Sequence, residues 1–106
     1  MSKYLITGSY TTQGIKGVMA EGGTARVAAV TKLIASLGGS VESMYFGFGG
    51  DDFYITVDLP GNTEMAAGAM ATAASGAVNL RTIVLLTPEE VDAAVKLSPD
   101  YRAPGA

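Results

Sequence analysis

Hydrophobic and polar positions alternate with a period of two in several short stretches and recur at helical spacing between them. The sharpest alternation covers residues 52–59. Phe53, Ile55, Val57 and Leu59 point one way, and Asp52, Tyr54, Thr56 and Asp58 the other, as in a strand with two unlike faces. Residues 3–10 are rich in Tyr, Leu, Ile and Thr and predict a first strand. Thr11-Thr12-Gln13-Gly14 reads as a break, followed by one helical turn over residues 15–20 and a stop at Glu21-Gly22-Gly23. Thr24 is a suitable N-cap for a main helix through Leu37, with Val27, Val30, Ile34 and Leu37 as its buried stripe. Gly38-Gly39 ends it.

In residues 40–48, strict alternation puts Glu42, Met44, Phe46 and Phe48 on one face and Val41, Ser43 and Tyr45 on the other. Gly49-Gly50-Asp51 suits a tight hairpin into the next strand. After Pro60-Gly61-Asn62, a helix is expected over residues 63–75, capped by Asn62 or Thr63, with a stripe of Ala66, Ala69, Met70 and Ala73. Gly76 stops it, and residues 77–86 predict the last strand. Thr87 with Glu90 fits a capping box, and Pro88 stands at the first position of a short third helix.

The order strand, helix, strand, strand, helix, strand, helix predicts an α+β, ferredoxin-like βαββαβ fold. Its four-stranded sheet is antiparallel, with helices on one face and an extra C-terminal helix. At 106 residues the chain predicts one domain over 1–97 and a C-terminal tail over 98–106. A chain of this length buries roughly 65% of its unfolded surface, enough for one core. The other face of the sheet is expected to be open and to include Tyr45, Tyr54 and Thr56. Yet the last strand carries aliphatics on both faces: Val78, Leu80, Val84 and Leu86 on one, Ile83 and Leu85 beside Asn79 and Arg81 on the other. Stacking two sheets face to face would cover both, so a homo-oligomer, dimer or higher, is expected.

Composition narrows the chemistry. Hydrophobic residues make up 48% and charged residues 16% of the chain, too apolar for disorder. The net charge is −3 and the seven Lys and Arg form no basic run, so no nucleic-acid partner is expected. There is no cysteine and no histidine. Disulfides, thiolate chemistry, a Ser-His-Asp triad and the usual ligands of zinc and haem are thereby excluded. No metal and no cofactor is expected. Any acid–base work falls to Asp, Glu, Lys or Tyr. No stretch has the length of a membrane span, and Met1-Ser2-Lys3 leads straight into a strand-like run. A cytoplasmic location without membrane contact is the expectation.

Several segments together resemble the GYD-domain family along nearly the whole chain. They are Tyr4-Leu5-Ile6, Gln13-Gly14-Ile15, Arg26, Leu37-Gly38-Gly39, Tyr45, the run from Gly49 to Pro60, Ala77-Val78 and Asn79-Leu80-Arg81-Thr82. Gly49 and Asp52 match the first and last positions of the naming motif, while Asp51 stands where its tyrosine is expected. Any stacking role of that ring therefore has no matching residue here. The resemblance implies an architecture similar to dimeric α/β barrels and a tendency to oligomerise, and it carries over no settled activity.

The candidate ligand-binding residues are Arg26, Tyr45, Asp52 and Arg81. Asp51 and Asp52 read either as paired carboxylates, one serving as base, or as turn residues at a loop tip; the second is favoured. Asp52 and Asp58 are six residues apart, roughly 20 Å along a strand, and do not share one cation. Arg81, in a largely apolar strand, either grips a carboxylate ligand or pairs with Asp52 or Asp58; the pairing is favoured. Tyr10, Tyr45 and Tyr54 offer phenol groups to a pocket or serve as packing. Two functions of different class follow. One is a self-associating domain that binds a small apolar or anionic ligand between sheet and helices. The other is a cofactor-free enzyme of dimeric-barrel type, isomerase- or monooxygenase-like. It would act on a small aromatic or lactone-like substrate, with Asp52, Tyr45 or Arg81 in its pocket.

Overall fold

Four antiparallel strands form one sheet in the order β2-β3-β1-β4 in the computed structural model, which describes residues Met1–Ala106. The elements are β1 (Ser2–Tyr10), α1 (Thr12–Glu21), α2 (Gly23–Ser36), β2 (Ser40–Phe46), β3 (Phe53–Leu59), α3 (Asn62–Ala74), β4 (Val78–Leu85) and α4 (Pro88–Val95). Order and direction are those of a ferredoxin-like α+β fold, as the sequence pattern predicts. The two central strands pair in register from Ser2 with Leu59 to Gly8 with Phe53.

The alternation of β3 sets the core. Phe53, Ile55, Val57 and Leu59 are all buried on the helix-covered face, joined by Tyr4 and Ile6 of β1, Val78 of β4, Ile34 of α2 and Met65 of α3. Burying such side chains is worth about 1.5–3 kcal/mol each. Tyr4 keeps its phenol satisfied by donating to Asn62 Oδ1 at 2.6 Å, so Asn62 ties α3 to β1 and Gly61 is the N-cap.

Five local expectations need correction. Residues 11–14 do not break the chain: Thr11 caps a full ten-residue α1, its hydroxyl accepting from the Gly14 N–H and donating to the Gly76 carbonyl. The approach there is close, since a Cβ on Gly14 would lie 1.9 Å from the Ala77 carbonyl oxygen. The main helix starts at Gly23 and is capped by Gly22, not Thr24. Gly22 has φ 85 and also ends α1, a left-handed conformation that glycine adopts without a Cβ clash. In β2 a bulge between Val41 and Ser43 shifts the phase. Val41 therefore packs on the core together with Met44 instead of facing away from it. The β2–β3 connection runs over residues 47–52, closed by Gly47 N–H to the Asp52 carbonyl at 3.0 Å, and is longer than a tight hairpin. In α3 the buried residues are Met65 and Gly68, with Ala69 beside them. Met70 is 67% exposed. Of the expected stripe Ala69 packs toward the core and Met70 does not; Met65 and Gly68 face the core beside it, and a Cβ on Gly68 would lie 3.1 Å from Leu37 Cδ1.

The capping box of α4 forms in full, with Thr87 accepting from the Glu90 N–H and Glu90 accepting from the Thr87 N–H. Beyond it every residue from Pro88 to Ala106 is exposed. The radius of gyration is 16.9 Å and the longest dimension 56 Å, against about 13 Å expected for a compact chain of this length. The excess comes from α4 and the tail, which project from the domain. No helix is long and apolar enough to cross a membrane.

Candidate functional site

The helix-covered face is not completely filled. A void of ≈ 630 Å³, mouth included, lies between the sheet and helices α2 and α3, and ≈ 80 Å³ of it accepts the centre of a water-sized molecule. One water needs only about 10–15 Å³ on that second measure, so the space suits a group of several heavy atoms. Its wall is apolar at thirteen of sixteen residues, among them Ile6, Ile34, Met44, Phe53, Ile55 and Met65. A wider and more polar cleft beside α1 joins it, and the two share Tyr10, Arg26, Ala29, Leu33, Thr72 and Val78.

Arg26 and Tyr10 stand where cavity and cleft meet. Arg26 belongs to the first turn of α2, and Glu21 is the last residue of α1. The glycine break at Gly22 folds them together, with Arg26 Nη1 3.5 Å from Glu21 Oε1. Arg26 Nε is buried and has no hydrogen-bond partner. Thr72 offers no donor to the cavity, because its hydroxyl donates to the Gly68 carbonyl at 2.7 Å. The Tyr10 ring rests against Phe53 with centroids 5.2 Å apart. Burial pushes the Tyr10 phenol above its ordinary pKa; the nearby Arg26 guanidinium offsets part of the rise, and Asp52 and Glu21 add to it.

Asp52 extends the β1–β3 ladder past the end of β3. Its N–H donates to the Gly8 carbonyl at 2.7 Å, and its Oδ2 accepts from the Tyr10 N–H at 3.0 Å. Of the four expected site residues, Arg26 therefore lines the cavity, and Asp52 holds the backbone of a neighbour that does. Tyr45 and Arg81 lie elsewhere. Both belong to the open face, in one row that runs Tyr45, Tyr54, Thr7, Arg81 across the sheet. They sit on opposite edge strands, roughly 14 Å apart at ~4.8 Å per strand spacing.

Arg81 pairs with a carboxylate, but with neither Asp52 nor Asp58. Its Nη2 donates to Asp51 Oδ2 at 2.5 Å and reaches Thr7 Oγ1 at 3.4 Å. The longer β2–β3 connection carries Asp51 over the open face, while Asp58 pairs with Lys3 at 3.0 Å. Lys3 also binds Glu42, and these two carboxylates hold its pKa above the ordinary value. Asp51 and Asp52 thus serve separate partners. The carboxylate standing where the motif tyrosine is expected anchors Arg81.

Tyr10 stood in the sequence only as one of three possible pocket phenols, and the cavity wall itself was not predicted. A signal for it exists. Arg26, Ala29, Val30, Leu33, Ile34 and Leu37 are spaced by three and four residues, which places Arg26 at the end of the sheet-facing stripe.

Fold and site together define a small ferredoxin-like α+β domain with an apolar cavity between its layers and one arginine at the cavity's edge. The GYD domain family matches residues 4–95, and the chain belongs to that family. Comparison with curated proteins returns no match, and comparison with solved structures returns none.

Proposed function

We propose that this chain is a self-associating binding domain that holds a small apolar or anionic molecule between its sheet and helices. The cavity beside Arg26 carries the binding half: native interiors are close-packed, and an accessible space for several heavy atoms behind an apolar wall is what a small ligand fills. Three features support self-association. Tyr45, Tyr54 and Ile83 are exposed on the uncovered sheet face. On α4 and the following residues, Val91, Val95, Leu97 and Tyr101 are exposed too. A two-turn helix without tertiary support is also marginal in water, and a second copy would supply that support. The enzymatic alternative, with Asp52, Tyr45 or Arg81 in its pocket, would be favoured by an Asp, a Tyr and an Arg converging there, whereas Tyr45 and Arg81 belong to the other face of the sheet.

Light scattering at micromolar concentration tests the assembly. A multiple of 10.8 kDa is expected, reduced by Ile83→Asp; a clean single-chain mass for the wild type would overturn it. For the binding half, n-hexanol should raise the melting temperature of the wild type and not of Ala69→Leu, which fills the cavity. Equal response of the two proteins would count against the site.

A further inference from the structure

The cavity's few polar groups restrict what it can take. Arg26 is the one charged residue in its wall. Its Nη1 side faces Glu21, whereas Nε is withdrawn from solvent and bonded to nothing. A buried donor on a cation left without an acceptor is costly, and native structures seldom keep one. The missing partner is an acceptor, and beside a guanidinium the strongest acceptor is an anionic oxygen. A single available cation, with the Glu21 carboxylate already near it, favours one negative charge over two. The rest of the wall offers hydrocarbon contact.

We propose that the cavity takes a small apolar monocarboxylic acid, its carboxylate pairing with the Arg26 guanidinium at the cavity's edge and its hydrocarbon lying among Ile6, Ile34, Met44, Ile55 and Met65. This rests on the cavity's being a binding site, and it adds the ligand's charge and class. An alkylamine is rejected, because its ammonium would stand against Arg26. An alcohol of the same length enters but forms a weaker, neutral hydrogen bond. A phosphate monoester is disfavoured, because its second charge meets Glu21 and finds no second cation. Glu21 is the built-in competitor: its carboxylate draws on the same guanidinium and repels an incoming acid.

Calorimetric titration with hexanoate, n-hexanol and hexylamine tests the assignment. Hexanoate should bind about tenfold tighter than n-hexanol, the margin expected of a charge-assisted hydrogen bond, and hexylamine not at all. Arg26→Met should bring the ratio of hexanoate to hexanol affinity close to unity. Glu21→Gln, a surface change that tests the same charge logic should Arg26→Met fail to fold, should strengthen hexanoate severalfold and leave hexanol unmoved. If hexanoate and hexanol bind equally in the wild type, and Glu21→Gln changes neither, the carboxylate assignment is overturned while the cavity stands as a site. If none of the three binds, the binding site itself is overturned.

Discussion

The two arginines of this domain's layers sit on opposite sides of one sheet and differ in what they lack. Arg81, on the open face, has two partners for its Nη2: the Asp51 carboxylate and the Thr7 hydroxyl. Its side chain is nevertheless 70% exposed, so water would serve it if they were removed. Arg26, on the covered face, has one exposed contact to Glu21, the Tyr10 phenol beside it, and one buried N–H with no partner. The sequence made Arg81 look like the arginine in need, because it interrupts an apolar strand. Burial reverses that ranking. An unmet donor is costly where solvent cannot reach, and that condition holds at Arg26.

The contrast between faces should appear first in stability. Ile34 is 2% exposed in the core, and Ile34→Ala should cost about 2–5 kcal/mol in denaturant melts. Ile83→Ala, on the open face, should cost under about 1 kcal/mol at dilutions where chains are separate, with a larger loss appearing as concentration rises. Equal and concentration-independent costs would erase the difference between the faces. Next in size is Tyr4→Phe, which removes the bond to Asn62 and should cost about 1 kcal/mol. A loss near zero would mean that bond is exchanged evenly with water.

Smaller still is the pair on the open face. A double-mutant cycle of Arg81→Met with Asp51→Asn should give a coupling of about 0.2–1 kcal/mol that shrinks with added salt. The several kcal/mol expected of a buried pair does not apply at this exposure. A coupling to Asp52 or Asp58 instead of Asp51 would refute the assigned partner.

The smallest expected effect is a pH dependence. Burial raises the Tyr10 pKa in the fold, so the folded state holds that proton more firmly than the unfolded chain does. Its contribution to stability is full below the ordinary tyrosine pKa of about 10 and is lost as pH rises through the folded value. Lys3 has a raised pKa as well and acts in the same direction, so the comparison is with Tyr10→Phe. That variant should lose stability less steeply above about pH 10, and an unchanged slope would contradict the burial of the phenol.

Much of the fold was legible because its signals are local and periodic. The alternation of β3, the stops at Gly38 and Gly76, and the capping box at Thr87 each depend on neighbours a few residues away. What escaped depends on the partner. The bulge in β2 is set by its register with β3, and no alternation within residues 40–48 discloses it. Glycine at position 22 serves as cap because two helices meet there, whereas Thr24 is the better cap by residue type alone. The site divides in the same way. Arg26 was legible as a candidate from its residue type and its place in the family pattern. The cavity beside it arises from how α2 and α3 sit over the sheet, and a single sequence does not encode that spacing in any short pattern.

The central claim is that the covered face, and not the open one, receives a small molecule. Methyl-resolved NMR during a titration with hexanoate tests it most directly. The account predicts shifts at the methyl groups of Ile6, Ile34, Met44, Ile55 and Met65, with Ile83 and the exposed Met70 unmoved. Shifts gathered at Ile83, or none at the cavity residues at saturating ligand, would contradict it.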